Sequence, residues 1–145
     1  MGNNSNSHFA LFGDQMMSIK KTLMAVTSAV TYLEDAVDAQ AKGDENKLIQ
    51  LTWSAASDLE YGLFLFTLKS LKETRTSSWR LPASKQPEIE SLLASAKDLL
   101  KEAANSIEAD NQKEAYKKMW IARGQLLRIH DFFEKRGKRR SSLPS

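Results

Sequence analysis

The chain has 145 residues, of which 41% are hydrophobic and 27% charged; its net charge is +3 and it contains no cysteine. That length supports one domain with a single substantial core, and the balance is that of an ordinary globular protein rather than a disordered chain. Without cysteine there can be no disulfide, no thiolate zinc site and no cysteine nucleophile.

Only 6 Gly and 3 Pro are present, and β-branched runs are absent, so helix is favoured throughout. The most apolar run, "GLFLFTL" (Gly62–Leu68), falls far short of the ~20 residues of a membrane span. The stretch "MGNNSNSHF" is polar and lacks the basic and apolar regions of a secretory signal. The expected setting is cytoplasmic, without a membrane partner.

Four helices are expected in chain order, after a flexible tail over residues 1–13. The first runs from Asp14 to Lys42, with Met16, Ile19, Leu23, Val26, Val30, Leu33 and Val37 spaced three and four apart as a heptad seam. Asp14 is placed to cap it and Gly43 to stop it. The second runs from about Glu45 to Glu73, with Leu48, Thr52, Ala55, Leu59, Leu63 and Phe66 facing inward. A connection, residues 74–86, exceeds the ~2–8 residues usual in bundles, and Trp79 and Leu81 are expected to fold back over a bundle end. The third helix begins at Ser84–Pro87, where Pro suits a first turn, and buries Ile89, Leu92, Ala96, Leu99, Ala103 and Ile107. The fourth begins at Asp110 or Asn111, with Glu114 placed for a capping box. Ala115, Met119, Ala122, Leu126, Ile129 and Phe133 carry it to Gly137, and a basic disordered tail follows over residues 138–145.

A shift of 67 residues superimposes Ser28 on Ser95, Ala29 on Ala96, Leu33 on Leu100, Ala36 on Ala103, Trp53 on Trp120, Ala55 on Ala122 and Leu59 on Leu126. Two of three tryptophans coincide in a shared "WxAxxxL". The expected fold is therefore all-α, an antiparallel four-helix bundle built from two pseudo-repeated αα-hairpins, residues 14–73 and 87–137. Trp120, having a counterpart in Trp53, is expected to be structural first.

Chemistry-bearing patterns are sparse. A di-metal carboxylate bundle needs Glu three residues before His, but Leu127 holds that place before His130, and His8 lies in the polar tail. No Gly-rich phosphate loop, Ser-His-Asp order or zinc motif occurs, so no cofactor or metal is expected. One sharp pattern is "RGQLLRIH": Arg123 and His130 are seven residues apart, nearly two turns, and project to one side about 10 Å apart along a helix. This resembles the motif of the HEPN superfamily, in which an Arg precedes a His by a similar interval. The resemblance implies a small helical ribonuclease or nucleotide-binding module in which the pair, brought together across a dimer, positions and polarises a ribose-phosphate. Gly124 stands where a polar residue often follows that family's Arg. The alternative is that Arg123 and His130 flank the helix seam and bond neighbouring helices.

Charge is concentrated at one end. Residues 111–145 carry ten Lys/Arg and three Asp/Glu, a balance of +7, against −4 for residues 1–110. At 100° per residue, Lys113, Lys117, Arg128 and Lys135 line the outer face of the fourth helix and lead into Arg136, Lys138, Arg139 and Arg140, a candidate surface for nucleic acid. Apolar residues also point away from the seams: Tyr61, Leu65 and Leu68 on the second helix, and Ile121 and Phe132 on the fourth. Such an excess calls for a cover. The leading expectation is a non-catalytic interaction or assembly module that self-associates or binds a protein partner. Nucleic-acid binding through the fourth helix is second and a HEPN-type ribonuclease third.

Overall fold

A computed structural model describes the backbone of residues 3–69 and 88–142 and the side chains of residues 17–68 and 88–137. Within them the chain is helical, with four helices and no strand: α1 (Asn3–Lys42), α2 (Glu45–Lys69), α3 (Ile89–Glu108) and α4 (Gln112–Ser142). The connection carrying Trp79 and Leu81 lies outside the described residues.

Helix ends depart from expectation at the start of α1 and the end of α4. α1 starts at Asn3 rather than Asp14 and passes through Gly13, so helical backbone occupies most of the stretch assigned to a tail. α4 continues through Gly137 to Ser142. Glycine ends a helix when the chain turns left-handed there. Gly43 does so, with φ 73°, whereas Gly137 keeps a helical backbone.

The turns between α1 and α2 and between α3 and α4 share one hydrogen-bond pattern. At the first, Gly43 N–H donates to Gln40 O (3.2 Å) and Asp44 N–H to Ala39 O (2.9 Å). At the second, Asp110 N–H donates to Ile107 O (3.1 Å) and Asn111 N–H to Ser106 O (2.7 Å). Each is a Schellman closure, which satisfies carbonyls the helix end leaves unpaired. Asp110 takes the left-handed conformation, φ 59°, in the place Gly43 holds in the first turn; Asp tolerates it better than most residues. Asp44 then caps α2, its Oδ1 accepting the Lys47 N–H at 3.2 Å. α3 lacks a side-chain cap bond at Glu88.

α1 packs on α2 and α3, and α4 packs on α3 and α2; among the described residues the backbones of the pairs α1/α4 and α2/α3 stay more than 8 Å apart between Cα atoms. The packing is that of a bundle. Leu33, Leu48, Leu59, Leu93, Leu100, Met119, Leu126, Ile129 and Val26 fill its centre. Residues 67 apart hold equally buried places: Leu33 with Leu100, Leu59 with Leu126, Ala29 with Ala96 and Ala55 with Ala122. Two buried polar atoms share the same offset. Gln125 Nε2 donates to Ser95 Oγ at 2.7 Å, while Gln125 Oε1 and Asp58 Oδ2, 67 residues apart, are both buried without a partner.

α3 buries more than its expected seam. Leu93 and Leu100 are fully buried while Leu99 is only partly so, because a helix wedged between two neighbours needs a wider apolar stripe than a heptad line. Gly62 is a place of close approach: a Cβ there would lie 2.9 Å from Met119 Cε and 3.7 Å from Ala25 Cβ.

Candidate interaction surface

Arg123 and His130 project from the α4 side that meets α2, and each is engaged separately. Arg123 Nε donates to Glu60 Oε1 of α2, and its guanidinium lies 4.9 Å from the centre of the Trp120 ring, within cation–π range. His130 meets the Trp53 ring edge-on at 4.3 Å between centroids, and its Nε2 lies 3.3 Å from Glu134 Oε2. His130 and Trp53 border an apolar niche of about 30 Å³ between α2 and α4, lined also by Ile49, Ala56 and Phe133. Arg123 takes no part in lining it. A niche of that size has room for only a few waters.

The basic residues of α4 are unequally committed. Lys113 and Lys117 are exposed. Lys135 pairs with Asp131 on its own helix at 3.0 Å, and Arg136 Nη1 reaches Glu45 Oε2 at the start of α2 at 3.2 Å. Arg128 is half-buried. The side chains of Lys138, Arg139 and Arg140 lie outside the described residues. Beside Arg136, the first turn of α2, Ile89 and Phe132 enclose a cleft of about 290 Å³.

The exposed apolar surface is centred on α2. Trp53, Tyr61, Phe64 and Leu68 are 52%, 48%, 56% and 59% exposed. With Ser57 they fall within an arc of about 80° at 100° per residue, opposite the helix's buried face. No Lys or Arg occurs between Lys47 and Lys69, and of the two acids in that span Glu60 is held by Arg123. Leu127 of α4 is exposed beside Trp53, and Met24 is exposed on α1. Roughly 100 Å² on each of the four α2 side chains, half of what large side chains bury when covered, sums to a patch of about 400 Å², the size of the largest apolar patch on a typical monomer, which is often functional.

Against the sequence reading, Tyr61 and Leu68 are exposed as expected and Phe132 is marginally so, while Ile121 is half-buried. Leu65 is a correction. It is 9% exposed and faces Ile19 and Thr22 of α1 beside Phe66, because it lies on the edge of α2 that α1 covers. Phe64 was missed, although its spacing of three from Tyr61 and four from Leu68 puts it on the same stripe. Trp53, the counterpart of Trp120 at the 67-residue offset, is more than half exposed. No helix among the described residues is long and apolar enough to cross a membrane.

Comparison with known proteins leaves the reading to this geometry: no protein-family model, curated protein or solved structure matches the chain.

Proposed function

We infer that this protein is a non-catalytic assembly module, a helical bundle that presents the outer face of α2 for association with itself or with a protein partner. The observation that carries this reading is the stripe of Trp53, Tyr61, Phe64 and Leu68, about half exposed on the face of α2 turned away from the core. Exposed aromatic surface of this extent, free of lysine and arginine, is the composition of a protein interface rather than of a solvated helix.

Two features support an antiparallel bundle of two duplicated hairpins beneath that face. The turn hydrogen bonds repeat at a 67-residue offset, and Glu45 at the start of α2 meets Arg136 near the end of α4. A duplicated hairpin buries its apolar face against its copy, which leaves the outer face of α2 to be used elsewhere. The cysteine-free composition fits a reducing cytoplasm.

The ribonuclease reading finds little support, since Glu60 and Trp120 occupy Arg123 while Trp53 and Glu134 occupy His130. Exposed Lys113 and Lys117 favour the nucleic-acid reading, but Lys135 and Arg136 spend their charge on acids of this chain.

Light scattering over a dilution series, with titration of single-stranded RNA and duplex DNA at 0.15 M salt, separates these readings. The assembly module changes mass with its own concentration and binds neither polymer appreciably. Tight binding of either polymer by a chain of constant mass would overturn it.

A further inference from the structure

Resting on the assembly reading, we propose that the occupant of the α2 stripe is a second copy of this chain, docked α2 against α2, antiparallel, across a two-fold axis passing between Glu60 and Tyr61. The stripe is complementary to itself in that register. Residues whose numbers sum to 121 then face one another, so that Trp53 meets the partner's Leu68 and Ser57 meets the partner's Phe64. A large ring sits over a small side chain at two symmetric places, and the bulky Trp is matched with an aliphatic residue rather than another ring. Centring the axis on Ser57 instead sets Trp53 against Tyr61 and Phe64 against Gln50, leaving Leu68 unpaired. Centring it on Phe64 leaves Trp53 without a partner.

Charge permits the same arrangement. Between Lys47 and Lys69 the stripe has no basic residue, and Glu60, next to the axis, is neutralised within its own chain by Arg123. Two copies therefore approach without the like-charge repulsion that a patterned helix face would impose. The four side chains offer roughly 400 Å² per copy, about half of the ~800 Å² per partner of a standard interface. An area that small belongs to weak, transient contacts, so the dimer forms and separates with concentration. A two-fold pairing of one patch with itself also closes the assembly at two copies.

The cysteine-free sequence makes the geometry testable by single introduced thiols. A disulfide needs Cα atoms within about 7 Å. Tyr61→Cys sits at the axis and should oxidise to a covalent dimer. Ser57→Cys alone should not, because its symmetry mate lies seven residues along the antiparallel pair, about 10 Å away. Ser57→Cys combined with Phe64→Cys should cross-link in high yield, and far-UV circular dichroism should show each variant folded, since all three positions lie outside the core. Cross-linking of Ser57→Cys alone would mean a parallel pairing, or an antiparallel one centred on Ser57, and overturn the proposal. A dimer that survives Phe64→Glu unchanged would place the interface on another face and refute both this pairing and the assignment of the α2 face. A chain that stays monomeric at all concentrations would refute this pairing and leave the α2 face to a different protein partner.

Discussion

Gly43→Ala isolates the conformation of the first turn from every packing effect. A Cβ at that position has nothing within 4 Å, so the substitution costs only what the backbone imposes. With φ at 73°, an L-residue pays about 1–2 kcal/mol for the left-handed region. Restricting the unfolded chain returns roughly 0.4–1 kcal/mol, leaving a net loss of about 1 kcal/mol. Unfolding entropy near 2.1 cal/mol/K per residue over this chain length converts that loss to a fall of about 3 °C in melting temperature. Asp110→Gly should move the other way, because the same conformation, φ 59°, is relieved there. The gain should stay below about 1 kcal/mol, since the exposed bond from Gln112 Nε2 to Asp110 Oδ1 is lost with the side chain. Thermal and urea denaturation followed by circular dichroism measures both. A neutral or stabilising Gly43→Ala, or an Asp110→Gly that destabilises as much, would refute the matched turns.

Leu59→Ala and Leu126→Ala, at fully buried positions 67 residues apart, should each cost about 3 kcal/mol in urea unfolding; a surface-like cost at either would break the equivalence of the hairpins. A double-mutant cycle on Glu60 and Arg123, both partly exposed, should return a coupling below about 1 kcal/mol, whereas a several-fold larger value would mark a site built around that pair. Lys113→Glu with Lys117→Glu should leave oligonucleotide binding negligible, as in the parent chain at 0.15 M salt. A steep salt-dependent affinity abolished by those changes would restore the nucleic-acid reading.

Much of the interior was readable because its spacing follows the helical period. Leu48, Thr52, Ala55, Leu59, Leu63 and Phe66 all face inward as the pattern requires, and so do Ala115, Met119, Ala122, Leu126 and Ile129. Spacing alone does not reveal how many neighbours a helix has. That is why Leu93 and Leu100 joined the buried face of α3, and why Leu65 went under α1. Glycine was a poor guide to helix ends, since Gly43 and Gly137 look alike in sequence and only one turns left-handed. The exposed stripe was half legible. Tyr61 and Leu68 stood out by their angle, but Phe64 was hidden inside an apolar run and Trp53 entered only as the counterpart of Trp120. Arg123 and His130 drew attention by type and spacing, and two of the side chains that engage them, Glu60 and Trp53, come from α2, a helix whose placement beside α4 no local pattern encodes.

Sedimentation equilibrium on the intact chain and on Phe64→Glu, at matched concentrations from low micromolar upward, tests the central claim most directly. The average mass of the intact chain should climb toward twice that of one chain while Phe64→Glu stays at one. Identical curves for the two proteins, at either mass, would contradict the assignment of α2 as the surface through which this protein associates with itself.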